Sequence, residues 1–212
     1  MTTDRFAHPA LGIVDMQNDF VRVGAPLEVP EARATIPAHQ ALLAACRRRG
    51  IPVIYTKFVA GPERTLIWEW SPVLAPPVCC CWKGVGRRYE DVGKELDCSD
   101  IIDELSPEPG DPIVEKFGYG AFHNTNLDDL LKARHVESVL VTGTVTQICV
   151  EETARESLKR GYRTTIVSDA VSTYASDLQA AVLKNFAHKF GWVSTTAEII
   201  AGLEARDSAH PR

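Results

Sequence analysis

Short apolar runs rich in β-branched residues alternate along the chain with segments of helical periodicity. This alternation is typical of βα units arranged around a buried parallel sheet. The apolar runs predict six strands, at residues 10–14, 52–56, 112–115, 138–142, 164–167 and 191–194. We therefore expect an α/β fold, a doubly wound three-layer α/β/α sandwich with a mostly parallel six-stranded sheet.

The segments between the strands predict amphipathic helices. From Ile36 onward apolar residues recur at helical spacing, Pro37 stands near the start, and three arginines precede Gly50 at the end. Further helices are expected at 126–133, at 147–160 before Gly161, and at 178–189.

Residues 61–97 fit neither pattern and contain Trp68, Trp70 and Trp82. A loop of this length inside a compact domain is usually functional. We expect a single domain over residues 1–212 with a Trp-rich insertion at about 61–97.

The composition narrows the range of partners. Hydrophobic residues make up 45% and charged residues 24% of the chain, which excludes a disordered or fibrous protein. The formal net charge is −5 and no basic run is longer than three residues, so nucleic acid is disfavoured. The sequence has no apolar stretch of membrane-spanning length and no apolar signal segment near Met1. We expect a cytoplasmic protein without membrane or nucleic-acid partners.

The six cysteines lack the spacing of a disulfide framework and form no C-x-x-C pair, which indicates reduced thiols. Three of them are consecutive, at residues 79–81. A metal or redox patch is the alternative there, but no second Cys or His pair follows at zinc-site spacing. Partly buried, unmodified thiols are the favoured interpretation.

Three residues with reactive side chains lie at or just after the ends of predicted strands. Asp15 ends the first strand, Lys116 ends the third, and Cys149 follows the fourth. Alone, each has a structural explanation, as a turn residue, a strand-end charge or a small core side chain. Ligands of doubly wound sheets bind at the carboxyl ends of strands, where these residues would meet. A thiol beside an ammonium at a helix start would have a lowered pKa, and a carboxylate could take its proton.

The segments around these residues carry a resemblance to a known family. They read Val-Asp-Met-Gln-Asn-Asp-Phe at 14–20, Lys116 with Ala-Phe at 121–122, Gly-x-x-Thr-x-x-Cys-Val at 143–150 and Ser-Asp-Ala at 168–170. In these motifs, over roughly residues 11–201, the chain resembles cysteine hydrolases of the isochorismatase-like superfamily. That superfamily includes nicotinamidases, N-carbamoylsarcosine amidohydrolases and ureidoacrylate amidohydrolases.

The resemblance implies a role for each residue of the site. Cys149 would be the nucleophile, Asp15 the general base, and Lys116 the group that orients and stabilises charge. It also implies a cis peptide bond between Thr144 and Val145, with the backbone N–H groups of Val145 and Cys149 forming an oxyanion hole. We further expect a homo-oligomer, either a dimer or a tetramer.

These expectations define a metal-independent cysteine amidohydrolase. It would cleave the C–N bond of a small carboxamide or ureido (N-carbamoyl) substrate through a thioester acyl-enzyme and release ammonia or an amine. Nicotinamidases of the superfamily carry an Asp and two histidines as a metal site after the second strand, whereas residues 56–63 contain no histidine. We therefore expect no metal and no cofactor, and disfavour nicotinamide. The alternatives are an isochorismatase-type hydrolase of a vinyl ether, which needs no cysteine nucleophile, and a non-enzymatic, partner-binding member that uses the Trp-rich insertion.

Candidate substrate-binding residues are mostly aromatic, and packing is the alternative role for each of them. Arg87 and Arg88 are either a solvated pair or receptors for a substrate carboxylate. The candidate substrate-binding residues are Phe20, Trp68, Trp70, Tyr119, Phe122, Gln147 and Tyr174.

Overall fold

Short apolar runs form the central strands of the computed structural model, which describes residues 4–209. Within that range eight strands are present: β1 (Pro9–Val14), β2 (Val53–Phe58), β3 (Gly86–Tyr89), β4 (Lys94–Asp97), β5 (Ile113–Lys116), β6 (Ser138–Thr144), β7 (Arg163–Ser172) and β8 (Trp192–Ser194). Six of them form one sheet in the order β5-β2-β1-β6-β7-β8. Every neighbouring pair in this sheet is parallel.

Helices cover both faces of the sheet. The described residues form α1 (Asn18–Val21), α2 (Ile36–Arg48), α3 (Ile67–Trp70), α4 (Leu127–Ala133), α5 (Glu151–Lys159), α6 (Ser176–Lys189) and α7 (Thr196–Ala209). Leu11 and Ile13 of β1 pack in one apolar cluster with residues of α2 and α7. Ala10 and Val14 of the same strand pack in a second cluster with residues of α4, α5 and α6. Because successive strand residues point to opposite faces, the sheet separates two cores. The predicted three-layer α/β/α fold is confirmed.

The sheet is extended on both sides of β1, which places a switch of strand order beside that strand. β2 and β5 extend the sheet on one side of β1, and β6, β7 and β8 extend it on the other. Crevices at the carboxyl ends of strands beside such a switch bind ligands. Gly143, near the end of β6, has a φ of +111°, and a Cβ there would lie 2.0 Å from the carbonyl oxygen of Val14. Only glycine allows β1 and β6 to approach this closely.

Several details differ from the sequence prediction. The interval 61–97, for which no regular element was predicted, contains α3 and the antiparallel hairpin of β3 and β4. The helix α7 was not predicted. The segment expected to be one helix from residue 147 begins instead with a π-helical turn, Thr146–Val150, followed by α5. The single-domain organisation stays a prediction.

Two tryptophans of the Trp-rich insertion, Trp68 and Trp82, pack against the core. The rings of Trp68 and Trp82 stack with centroids 5.6 Å apart. The Nε1 of Trp68 donates to the carbonyl oxygen of Ala60, and the Nε1 of Trp82 donates to that of Leu74. None of the six cysteines forms a disulfide. Across residues 4–209 no helix combines the length and the apolar character that crossing a bilayer requires.

Candidate active site

Asp15, Lys116 and Cys149 meet at the carboxyl edge of the sheet. Asp15 directly follows β1, Lys116 is the last residue of β5, and Cys149 lies in the π-helical turn that follows β6. Asp15 and Lys116 are 0% exposed and Cys149 is 4% exposed. The Nζ of Lys116 lies 2.6 Å from the Oδ2 of Asp15. The two side chains form a fully buried ion pair, and the Cys149 thiol interacts with both of them.

The backbone and Thr56 fix the Asp15 carboxylate. Asp15 has a φ of +50°, a left-handed conformation that is uncommon outside glycine and that clusters at functional sites. The hydroxyl of Thr56, in the neighbouring strand β2, donates to Oδ1 of Asp15 at 2.6 Å. The backbone N–H of Asp15 in turn donates to the Thr56 Oγ1 at 3.2 Å. The carboxylate is thus held by one hydroxyl and one ammonium group.

The Lys116 side chain is held as a cation. Its Nζ donates to the carbonyl oxygen of Gly118 at 3.1 Å and lies 5.1 Å from the centroid of the Phe58 ring. Burial acts to lower the pKa of Lys116, but the charge of Asp15 acts to raise it, and the net pKa lies above the ordinary value for lysine. Lys116 is therefore protonated at neutral pH.

The Cys149 thiol is a weak acid in this environment. Burial raises its pKa to about 12, Lys116 acts to lower the pKa, and Asp15 acts to raise it further. The lowered pKa expected from the sequence is therefore wrong, because desolvation of the thiolate outweighs the nearby ammonium. At neutral pH the sulfur keeps its proton, and a neighbouring carboxylate is available to accept that proton during attack.

We expect the Asp15→Asn variant to alkylate faster at Cys149 than the wild type at the same neutral pH. Removing the carboxylate charge lowers the thiol pKa, and each unit corresponds to a tenfold larger thiolate fraction while the pKa stays above the pH. Peptide-resolved iodoacetamide labelling over a pH series measures this, with the partly exposed Cys79 as the internal reference. Equal Cys149 rates in both proteins would contradict the role assigned to Asp15 in setting the acidity of the thiol.

A cavity of 410 Å³ opens over the thiol. Val145, which follows the cis peptide bond at Thr144, borders this cavity together with Cys149. Most of the remaining wall is apolar or aromatic. The lining residues are Phe20, Pro26, Leu27, Glu28, Val29, Phe58, Ser71, Leu74, Tyr119, Val145, Ile148, Cys149 and Tyr174.

Of the predicted substrate-binding residues, the cavity brings together Phe20, Tyr119 and Tyr174. Burial and the nearby Cys149 raise the pKa of Tyr119, so its hydroxyl is protonated at neutral pH. Gln147 borders an adjoining groove instead, and its Oε1 accepts a hydrogen bond from the Thr173 hydroxyl at 2.7 Å.

Three other predicted pocket residues lie outside the cavity. Trp68 is occupied by its stack on Trp82. Trp70 is 84% exposed on the short helix α3. Phe122 is buried in the core, where its ring stacks against Tyr162. Each side chain therefore packs or faces solvent rather than lining the cavity.

The sequence analysis missed part of the site. Thr56 offered a signal, since it is a hydroxyl residue at the end of an apolar strand that neighbours Asp15 in the sheet. The wall contributed by residues 26–29, and by Ser71 and Leu74 of the insertion, offered none. Their positions depend on how two irregular segments fold over the strand ends.

Asp19, Cys80 and Cys81 form the one group in the described residues with three potential metal-ligand atoms close together. The Asp19 Oδ1 already accepts hydrogen bonds from the Tyr89 hydroxyl at 2.7 Å and the Arg87 Nε at 2.9 Å. Its Oδ2 accepts from the backbone N–H of Cys81 at 2.8 Å. The guanidinium of Arg87 occupies the position of a cation, so the group fits an anchor for the insertion better than a metal site.

The protein has an α/β fold whose parallel sheet carries a buried thiol, carboxylate and ammonium at its carboxyl edge. It is therefore of the class whose candidate active site contains a cysteine. The chain belongs to the isochorismatase family, since the model of the Isochorismatase domain matches residues 9–198. The superfamily resemblance is therefore confirmed.

Curated relatives and solved structures agree with this assignment. The ureidoacrylate amidohydrolase RutB of Agrobacterium fabrum is 32% identical over 203 residues, covering 88% of this chain and 86% of the relative. A cysteine hydrolase from Pseudomonas syringae superimposes with a TM-score of 0.80 at 29% identity, covering 97% of this chain and 95% of that one. N-carbamoylsarcosine amidase from Thermoplasma acidophilum gives a TM-score of 0.72 at 32% identity, covering 89% and 96% respectively.

Proposed function

We propose that this protein is a metal-independent cysteine amidohydrolase in which Cys149 attacks the carbonyl of a small carboxamide or ureido substrate. The observation that carries the proposal is the thiol, carboxylate and ammonium buried together beneath a substrate-sized cavity. Clefts that bind small molecules have volumes of roughly 300–1,000 Å³, and this cavity falls in that range.

The reaction class rests on the relatives. The chain is a hydrolase that acts on C–N bonds, the class to which ureidoacrylate amidohydrolase and N-carbamoylsarcosine amidase belong by name. The nucleophile and the proton transfers are proposed from the chemistry of the site residues.

In the first half of the reaction, the Cys149 sulfur bonds to the carbonyl carbon while Asp15 accepts the thiol proton. The backbone N–H groups of Val145 and Cys149 would stabilise the resulting oxyanion, as oxyanion holes do in acyl transfer. Asp15 then donates the proton to the leaving nitrogen, and the C–N bond breaks. Ammonia or an amine leaves, and a thioester remains on Cys149.

In the second half, water attacks the thioester carbonyl and Asp15 accepts a proton from it. The C–S bond breaks, the acid product is released, and the thiol regains its proton. Lys116 stays protonated throughout, so its positive charge offsets the single negative charge that moves between Asp15 and the oxyanion. Without Lys116, the Asp15 carboxylate would be a buried charge with no cation beside it, which is costly.

Two alternatives remain distinguishable. A vinyl-ether hydrolase would not depend on Cys149. A partner-binding member of the family would have no reason to keep a buried, charged pair beside a thiol, since such pairs are costly to bury. A homo-oligomer, as a dimer or tetramer, stays a prediction that a sedimentation measurement can test.

We expect ammonia release from carboxamides and ureas to survive prolonged chelation. The proposed steps use only side chains and backbone amides of this chain. The test is a panel of amides and ureas assayed with and without a chelator, with elemental analysis of the same protein sample. Loss of activity on chelation with recovery on adding zinc, iron or manganese would contradict the metal-independent mechanism. Cleavage of a vinyl ether but of no amide or urea would favour the alternative activity.

A further inference from the structure

The wall of the cavity over Cys149 has few charged side chains. Of the described residues, none that lines it is a lysine, arginine or histidine. The wall is formed mainly by apolar and aromatic side chains, among them Phe20, Leu27, Phe58 and Leu74. Transfer of an apolar group from water into such a wall is favourable in proportion to the apolar surface that is buried.

The single ionisable carboxyl group on the wall is Glu28. The backbone N–H of Gly24 donates to its Oε2 at 2.9 Å, and Arg33 donates to its Oε1 at 2.7 Å. The hydrogen bond from Gly24 and the ion pair with Arg33 hold the pKa of Glu28 below its usual value. Glu28 is therefore a carboxylate at neutral pH, and it offers a second carboxylate in the cavity no favourable partner.

Arg33, Arg87 and Lys116 are each engaged by an anion of the chain, and so is Arg155 of the adjoining groove, which pairs with Glu151. Arg33 pairs with Glu28 and also donates to the carbonyl oxygen of Val21. Arg87 pairs with the buried Asp19 and donates to the carbonyl oxygen of Val78. Lys116 pairs with Asp15. A substrate carboxylate in this cavity would lose its hydration without gaining a cation, which is costly.

From this distribution of charge we propose that the protein selects uncharged amides whose acyl group is apolar, and that it discriminates against amides and ureas carrying a carboxylate. The inference rests on the proposed function and specifies its substrate class. It separates this chain from the ureidoacrylate amidohydrolases that it resembles, because ureidoacrylate is by its name a carboxylate. The cavity has ample room for a branched alkyl or aryl group, since a cavity of roughly 150 Å³ already holds benzene.

Two matched pairs of ligands isolate the carboxylate. Hexanamide and adipamate differ by a methyl group replaced with a carboxylate, and so do propylurea and ureidopropionate. Titration calorimetry with the Cys149→Ala variant measures each Kd without turnover. A circular dichroism melt of the same sample establishes that the variant is folded. Protection of Cys149 from alkylation by each ligand, measured at times short relative to its turnover, gives a second measure of occupancy in the wild type.

We expect hexanamide and propylurea to bind at least tenfold tighter than adipamate and ureidopropionate. Equal or tighter binding of the carboxylates would overturn the inference, and so would failure of the uncharged members to bind in both measurements. Ammonia release by the wild type is scored separately. If hexanamide binds with this preference but is not hydrolysed, and no other amide or urea is, the proposed function fails while the assigned ligand class stands.

Discussion

The Cys149→Ala variant is expected to lose amide hydrolysis by roughly 10⁴-fold or more in kcat, because removal of the nucleophile removes the covalent pathway. The fold should persist, since alanine fills nearly the same space as cysteine in a position that is 4% exposed. Ammonia release under saturating substrate, together with a thermal melt, measures both properties. Residual activity within tenfold of the wild type would contradict nucleophilic catalysis by this thiol.

The matched control is Cys46→Ala. Cys46 is also a buried thiol, and burial raises its pKa to about 12, the value that Cys149 reaches. It lies on α2, in the core on the opposite side of the sheet from the cluster that contains Cys149. Cys46→Ala should keep activity within a few fold of the wild type. Because burial raises the pKa of both thiols to the same value, a difference between the two variants reports on the position of the thiol and not on its acidity.

The Lys116→Met variant is expected to lose both activity and stability. Lys116 and Asp15 are 0% exposed, so methionine would leave a buried carboxylate without its cation. Breaking a buried ion pair in this way costs about 3–5 kcal/mol in the free energy of unfolding. For a chain of this size the melting temperature should fall by on the order of 10 °C. Denaturant unfolding and the amide assay measure the two losses.

Two controls separate charge from packing in that prediction. The double variant Asp15→Asn with Lys116→Met replaces the buried pair by neutral groups, so it should recover much of the lost stability but none of the activity. Lys83→Met breaks an ion pair of similar length, 2.7 Å to Glu115, in which both side chains are partly exposed. Its melting temperature should change little, because solvent screens such pairs. A Lys116→Met protein as stable as the wild type would contradict a buried ion pair.

The sheet and its order of layers could be predicted from the sequence because each central strand is a short apolar run, and such runs have few alternative structures. The hairpin of β3 and β4 could not, because sequences such as Gly-Arg-Arg-Tyr show no apolar alternation. The helix α7 was missed for a related reason. It buries only a narrow stripe that includes Ile199 and Leu203. Gly202 adds no side chain to the helix, because a Cβ there would clash with the Phe6 ring.

The three strand-end residues could be brought together from the sequence because carboxyl ends of parallel strands share one edge. The acidity of Cys149 could not, since it depends on burial, which outweighs the neighbouring ammonium. The substrate wall was predicted only in part for a different reason. Phe20, Tyr119 and Tyr174 line the cavity, whereas Trp68 and Phe122 pack against other aromatic rings. An aromatic residue in a sequence carries no mark that distinguishes these two outcomes.

The central claim is a thioester on Cys149, and a single-turnover acid quench tests it most directly. Wild-type protein in excess over an amide substrate is quenched over a series of times, and the intact mass and the peptide containing Cys149 are measured. We predict an acyl adduct that appears on Cys149, rises and decays as the acid product forms, and is absent from Cys149→Ala. Complete conversion of the substrate with Cys149 unmodified at every time would contradict the account.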